Sequence, residues 1–341
     1  GGHLAAAGHR VTLVGRPPLM NKIASAGLTI RWPDAAPQTT TPESVTGLDG
    51  LSPAYDFILI TVKATSTAAA VEQLQGYPVL LESPYLVSLQ NGVGNEEALA
   101  EAFGAEKVIA GTITIPIQVP GLGVIEVSKA KGGLGLAPLT DAHSEPVSRL
   151  ANALTEAGLV TPTYRDYRAM KWSKLLLNIV NNATSAILDL APAQIVANPD
   201  LFDLEIAALR EGLAVMRADG IPAVKLPGYP VHWLARLLRL RWLPQPVVRA
   251  ALRPAMVSGR GSKMPSLHID LAGGRQASEV GVLNGAIVQA GARLKIPTPV
   301  NHTLTTILDG MFTGTVPRSD YQHQPKKLLA AVNQHRKSPA F

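Results

Sequence analysis

The residues DFILITVK, 56–63, limit the fold more than any other stretch of this chain. They form a continuous apolar run that closes on a lysine. A strand that is apolar on both faces has no solvent side, so the run reads as an inner strand of a parallel sheet covered by helices. A second run of this kind, YLVSLQNG (85–92), lies beyond the helical pattern STAAAVEQL. It leads into GNEEALAEAFG, a helix with acids in its first turn. Upstream, VTLVG (11–15) is a β-branched strand, and IASAGLTIRW passes from helix to strand. Strands then crowd together in VIAGTITIPIQ, GVIEVSK and GGLGLAP. This alternation predicts an α/β domain with a doubly wound, Rossmann-like parallel sheet and an antiparallel addition at its end.

The period changes near residue 164, and from there the pattern is helical. The opening helical segment is expected over about 165–188. NPDLFDLEIAALREGLAVMRADG (198–220) starts with an Asn cap and Pro199 and stops at Gly220. QASEVGVLNGAIVQAGARL and TPVNHTLTTILDGM are further helices. The expected domains are therefore 1–163, a Rossmann-like sheet domain, and 164–341, an all-helical domain ending in a polar, loose tail from about 314.

A length of 341 residues suits two domains, and 46% hydrophobic with 16% charged residues describes a soluble protein with a large core. The net charge of +6 is too mild for a nucleic-acid face but suits an anionic substrate or cofactor. With no cysteine there is no disulfide, thiolate nucleophile or zinc cluster, and the histidines lack ligand spacing, so no metal is expected. The absence of cysteine fits the cytoplasm. No apolar run reaches 18 residues, so no membrane span is expected. The basic amphipathic segment HWLARLLRLRWLPQPVVRAALRP (232–254) reads as a helical insertion with snorkelling arginines, the alternative being a membrane-surface helix.

In a doubly wound sheet, ligands bind beyond the carboxyl ends of the strands. Three polar residues follow strands there: Arg16 after VTLVG, Lys63 after DFILITV and Asn91 after YLVSLQ. An acid after the second strand would hold the ribose of NAD, whereas an arginine accommodates the 2′-phosphate of NADP. Arg16 thus favours NADPH. The glycine-rich phosphate turn expected before AAAGHRVTLVG does not precede it in this sequence, which opens at Gly1-Gly2-His3. A sheet lacking its first strand and phosphate turn is the expectation.

The stretch KWSKLLLNIVNNATSAI (171–187) carries the clearest chemistry. On a straight helix with Lys174 at zero, Asn178 falls at roughly 40° and Asn182 at roughly 80°, with Asn181 and Ser185 within about 20° on either side. Leucines, Trp172 and other apolar residues fill nearly all the remaining circumference. A solvent-facing stripe is one reading. Solvent faces, however, are usually built from good helix formers, and asparagine is a poor one. Amides that both donate and accept suit a buried polar pocket. A lysine there can polarise a carbonyl and deliver a proton.

Together these residues resemble the ketopantoate reductase (2-dehydropantoate 2-reductase) family. The carrying motifs are AAAGHRVTLVGR, LITVKA, LQNGVGNEEAL, KWSKLLLNIVNNATSAI, KMPSLHIDL and SEVGVLNGAIVQAGARLKIPTPVN, from residue 1 to about 312. The resemblance implies an NADPH-dependent reduction of 2-dehydropantoate to pantoate, on the way to pantothenate and coenzyme A. It implies Lys174 as proton donor, Asn178, Asn182 and Ser266 as substrate contacts, and Glu279 at the active site or the nicotinamide ribose. Lys63, Asn91 and the backbone near Ile117 would line the cofactor beside Arg16. A small-molecule 2-keto acid is the implied partner, with no nucleic acid; the oligomeric state stays open, a homodimer included. Two alternatives remain: a reductase of another bulky 2-keto or 3-hydroxy acid, and a non-catalytic relic without the phosphate loop.

Overall fold

The two apolar runs become neighbouring strands. The computed structural model describes residues 1–49, 51, 55–78, 83–140, 144–240, 242–258 and 263–337. The chain opens with α1 (Gly2–Ala6), β1 (Thr12–Val14), α2 (Pro17–Ala26), β2 (Leu28–Arg31), β3 (Gln38–Thr40), β4 (Glu43–Val45) and β5 (Phe57–Ile60). Helix α3 (Thr67–Gln75), β6 (Tyr85–Ser88) and α4 (Asn95–Phe103) follow. Then come β7 (Val108–Ile113), β8 (Ile117–Gly121), β9 (Val124–Val127), β10 (Leu134–Pro138) and α5 (Ser144–Glu156). β5, β6 and β7 run parallel, with Phe57 opposite Tyr85 and Leu86 opposite Val108. β10 closes this sheet antiparallel to β7. β7 is buried along nearly its whole length, as a strand covered on both faces must be.

The other strands do not extend this sheet. β1 pairs in parallel with β4, and a third sheet has the order β3-β2-β9-β8. The antiparallel hairpin β8–β9 therefore joins β2 instead of the main sheet's edge. β2 alternates buried and more exposed residues, the pattern of a strand covered on one face only, unlike β7 of the main sheet.

The second half is helical: α6 (Tyr167–Ile179), α7 (Asn182–Leu188), α8 (Pro192–Ala197), α9 (Pro199–Ala218), α10 (Val231–Arg239), α11 (Gln245–Ser258) and α12 (Ser266–Ala272). After a 3₁₀ turn, Glu279–Val282, come α13 (Asn284–Leu294), α14 (Pro299–Thr313) and α15 (Pro325–Lys337). One apolar cluster runs from α6 through α9 to α14 and α15. Asn198 caps α9 by accepting from the N–H groups of Asp200 and Leu201, ahead of Pro199. Helices α10 and α11 bury Val231, Ala235, Leu238, Val248 and Leu252. Trp233 stays 60% exposed, with the Arg236 guanidinium 4.9 Å from its ring centroid. The 232–254 segment is thus a packed helical insertion with outward arginines. No helix of the described residues is long and apolar enough to cross a membrane.

Two expectations are corrected. The residues from 314 onward are not a loose tail. α15 buries Leu328 and Val332 in the core, and a fully buried side chain of this type contributes about 1.5–3 kcal/mol. His323 donates its backbone N–H to the Leu188 carbonyl, 2.8 Å away. Polar composition hid a helix that needs only two anchors.

The 165–188 segment is not one helix. It breaks at Val180 (ψ 119°) and Asn181, which takes the left-handed conformation at φ 54°, ψ 5°. Asparagine is among the few residues that visit this region readily. The break frees backbone donors, and a buried carboxylate collects them. Glu205 on α9 accepts the Asn181 N–H at 2.6 Å and the Thr184 hydroxyl at 2.5 Å. A stripe computed for a straight helix therefore fails beyond residue 180.

The break yields a direct test. Asn181→Ala is expected to cost about 1–2 kcal/mol, since alanine resists the left-handed region. Asn181→Gly, which removes the same side chain but tolerates the backbone, should cost clearly less. Denaturant unfolding of both variants separates the terms; equal losses would assign the effect to the side-chain contact with the Met256 carbonyl.

Candidate active site in the cleft between the domains

Helix α6 starts where the Asp166 carboxylate accepts the Ala169 N–H at 3.0 Å. It then runs along the seam between the sheet domain and the helical core. One of its faces carries Lys171, Lys174 and Asn178, which lie within about 60° of one another on a regular helix. Lys174 is half-buried. One turn further on, the Asn178 side-chain amide donates to Asn91 Oδ1 at 3.2 Å. Asn91 stands just beyond β6, so this bond joins the polar face of α6 to the carboxyl end of the parallel sheet.

Lys63, beyond the neighbouring strand β5, reaches across the cleft to Asp270 on α12. Asp270 is buried and also takes Arg275 Nε at 3.1 Å. The next backbone N–H, Ala64, donates to Glu279 Oε1 at 3.2 Å. Glu279 is buried at the head of its 3₁₀ turn. The Val93 N–H meets the Val282 carbonyl at 3.3 Å. Tyr167 on α6 donates to Glu97 at 3.1 Å, and burial, reinforced by Glu97, pushes its phenol pKa up and keeps the proton in place.

Asn182 does something the straight-helix stripe did not suggest. Its Oδ1 accepts the Leu267 N–H at 3.1 Å, and its Nδ2 donates to Ser266 Oγ at 3.4 Å. Its side chain, buried, thus fixes the first turn of α12, the helix that carries Ser266 and Asp270. Asn182 and Ser266 are brought together, but by contact with each other.

The structure gathers Lys63, Asn91, Asn178, Asn182, Ser266 and Glu279 into contacts that bridge the cleft or support α12. Arg16 is exposed at the carboxyl end of β1, as the N-cap of α2. Ile117 stands apart as the first residue of β8, opposite Val127 and 47% exposed. Sequence reasoning missed Lys171, Glu96 and Asp270. Lys171 Nζ is buried 2.8 Å from Glu96 Oε1 and donates to the Gln90 carbonyl at 2.6 Å. The available signals were spacings: Lys171 is three residues before Lys174, and Asp270 four after Ser266, hence each on a shared helix face.

A nicotinamide dinucleotide fits this domain on two counts. Polar side chains end β1, β5 and β6 at the carboxyl side. Gly2 on α1 packs so tightly on β2 that a Cβ would meet Ile30 Cδ1 at 2.7 Å and Leu28 Cδ2 at 3.0 Å. Close helix–strand contact through glycine is a mark of dinucleotide-binding βαβ units. No group of three or more metal-ligating side chains occurs among the described residues.

A parallel sheet with polar strand ends, facing the polar helix of an all-α domain, defines a two-domain ligand-cleft protein of the α/β class. Two family models match it: "Ketopantoate reductase PanE/ApbA" over residues 1–140 and "Ketopantoate reductase PanE/ApbA C terminal" over 166–312. The chain belongs to the ketopantoate reductase family. It is 28% identical over 310 residues to a 2-dehydropantoate 2-reductase of Halobacterium salinarum, covering 90% of this chain and 93% of that protein. A PanE/ApbA family ketopantoate reductase from Ralstonia eutropha superposes with a TM-score of 0.74 at 27% identity, covering 92% and 94% of the two chains. A D-mandelate dehydrogenase, solved with NADH and anilino(oxo)acetate, shares the fold at 20% identity, with a TM-score of 0.75 and the same coverage.

The two amides should separate experimentally. Asn182→Ala strands the buried Leu267 N–H and is expected to cost about 1–3 kcal/mol in denaturant unfolding. Asn178→Ala, whose partner Asn91 is exposed, should cost less. The reverse order would show that Asn182 does not hold α12.

Proposed function

We propose that the protein reduces 2-dehydropantoate to pantoate with NADPH, serving pantothenate and coenzyme A synthesis in the cytoplasm. The observation that carries this reading is the Asn178–Asn91 bond, which brings the lysine-bearing face of α6 to the carboxyl ends of the parallel strands. Family membership supports the reaction class.

In this reading Arg16 meets the 2′-phosphate, and Lys63, Asn91 and Glu279 line the rest of the cofactor, while Ile117, set apart on β8, is left out. When bound, the nicotinamide supplies the hydride. Lys174 then has two tasks: its ammonium stabilises the oxyanion growing at the keto oxygen, and it gives that oxygen a proton. Asn178 orients the substrate from the turn after Lys174. Ser266 contacts it from α12, with Asn182 holding that helix in place. Steady-state kinetics with 2-dehydropantoate, smaller 2-keto acids, a 3-hydroxy acid and phenylglyoxylate, each with NADPH and NADH, test the substrate. The aromatic acid is included because the fold also serves a D-mandelate dehydrogenase. Highest kcat/KM for 2-dehydropantoate with NADPH is expected; preference for another acid would reassign the substrate, and turnover of none would leave a non-catalytic protein.

Two substitutions follow from the roles. Lys174→Ala should lower kcat by about 10²–10⁴, the range for losing a general acid, with NADPH affinity nearly unchanged. Retained turnover in stopped-flow and steady-state assays would remove Lys174 from the chemistry. Arg16→Asp should weaken NADPH far more than NADH in equilibrium titrations; equal losses would detach Arg16 from the 2′-phosphate.

A further inference from the structure

The chain buries a lysine that the proposed chemistry does not use. Lys171 is 3% exposed and its partner Glu96 1%. Nζ lies 2.8 Å from Glu96 Oε1, a charge contact whose angle falls outside that of a hydrogen bond. Its aligned donations go to the Gln90 carbonyl at 2.6 Å and the Gly111 carbonyl at 3.3 Å. All three partners belong to the sheet domain, whereas Lys171 belongs to α6. A charge is rarely buried without a compensating partner, because desolvation costs several kcal/mol per ion. The cage compensates the charge through Glu96 and takes two of the three ammonium donors through backbone carbonyls.

The location of the cage gives it a purpose. Gln90 immediately precedes Asn91, and Glu96 lies in the first turn of α4, just after the loop that Asn91 opens. Lys171 therefore grips the 90–96 segment at both ends. The loop between needs holding: Gly92 and Gly94 sit at φ 84° and 98°, where a helix or strand cannot support them. Inside it Asn95 Nδ2 donates to the Asn91 carbonyl at 3.0 Å, and Thr67 links Asn95 to Gln90. The same loop presents Asn91 to Asn178.

The geometry points to Lys171 as a positioning residue for the reductase site: it fixes the Asn91 loop in register with α6, so that the cofactor-lining Asn91 and the proton-donating Lys174 are held to one geometry across the cleft. Lys171 does not touch the substrate. It acts through the Gln90 carbonyl, and Glu96 balances its charge so that a second ammonium can sit one turn from Lys174. Two lysines three residues apart on one face are thereby divided in labour. This inference rests on the reductase reading for its activity arm only.

The test uses the full chain and three variants. Glu96→Gln keeps shape and leaves the carbonyl bonds of Lys171 intact. It should lower the Tm by several degrees while kcat stays within about threefold of the parent. Lys171→Met alone strands the Glu96 carboxylate and should melt far lower. Lys171→Met/Glu96→Leu removes both charges, and its Tm should return towards that of the parent. Its kcat should nevertheless remain 10-fold or more below the parent, and the NADPH Kd should rise severalfold, because Asn91 lines the cofactor in the proposed reading. A double variant that regains both Tm and kcat would make the pair structural only and overturn the proposal. Should that variant not fold, amide hydrogen exchange of Lys171→Gln at low temperature decides. Faster exchange at 91–94 is expected, and unchanged exchange overturns the proposal. A parent that reduces no 2-keto acid defeats the reductase reading, whereas the exchange measurement still reports whether Lys171 holds the loop.

Discussion

A buried polar group must find a partner, and in this protein that requirement decides how the two domains meet. Helix α6 and its continuation α7 carry Lys171, Asn178, Asn181 and Asn182 among leucines, all of them buried. Two reach the sheet domain, Lys171 meeting the end of β6, β7 and α4 and Asn178 meeting Asn91, while within the helical domain the Asn181 backbone N–H meets Glu205 on α9 and Asn182 meets α12. An apolar interface would tolerate sliding, because dispersion and area burial have little directional preference. A set of directional bonds in a dry seam does not, since losing alignment leaves donors unsatisfied at roughly 1–3 kcal/mol each. The polar residues fix register, and the apolar residues around them supply the adhesion.

This accounts for why asparagines occupy a helix that asparagine weakens. They are not equivalent members of a stripe. Asn178 faces the cleft. Asn181 ends the helix by taking a backbone conformation that most residues avoid. Asn182, redirected by that turn, secures α12 and with it Ser266 and Asp270. One residue type serves three needs because its amide is short, donates and accepts, and tolerates the left-handed region.

What could be read in the sequence follows from how local the signal was. The inner strands were legible because 57–60 and 85–88 are apolar whichever way they face. The composition of 171–187 pointed to buried polar groups, which Lys171, Asn178, Asn181 and Asn182 are, and Lys63 and Asn91 could be placed by being next to strand ends. The division into three sheets was not legible: β3 (QTT) and β4 (ESV) carry no hydrophobic pattern, and strand pairing is a tertiary choice. The helix break was hidden because a period calculation presumes a continuous helix, although the Asn-Asn pair was its local sign. Lys171 and Asp270 were hidden for another reason. A lysine or an aspartate reads as surface until the opposite charge that buries it is known, and Glu96 and Lys63 lie 75 and 207 residues away in sequence.

The two ion pairs across the cleft differ in a way that suits them to different work. The Lys171–Glu96 pair is sealed at both ends, and removing either partner would leave an uncompensated buried charge, a loss of about 3–5 kcal/mol. Such a pair is fit to be permanent. Asp270, by contrast, holds two cations, Lys63 and Arg275, and Lys63 is about one-third exposed, with 34% of its side chain open to solvent. If Lys63 turns to an anionic cofactor, Asp270 keeps Arg275 and its charge stays compensated. The seam therefore combines a closed lock at α6 with a clasp at α12 that can release one partner without stranding the other. In the proposed reading a cleft that keeps its register while admitting a charged ligand needs both, and Lys63, at a strand end, is the partner placed to be released.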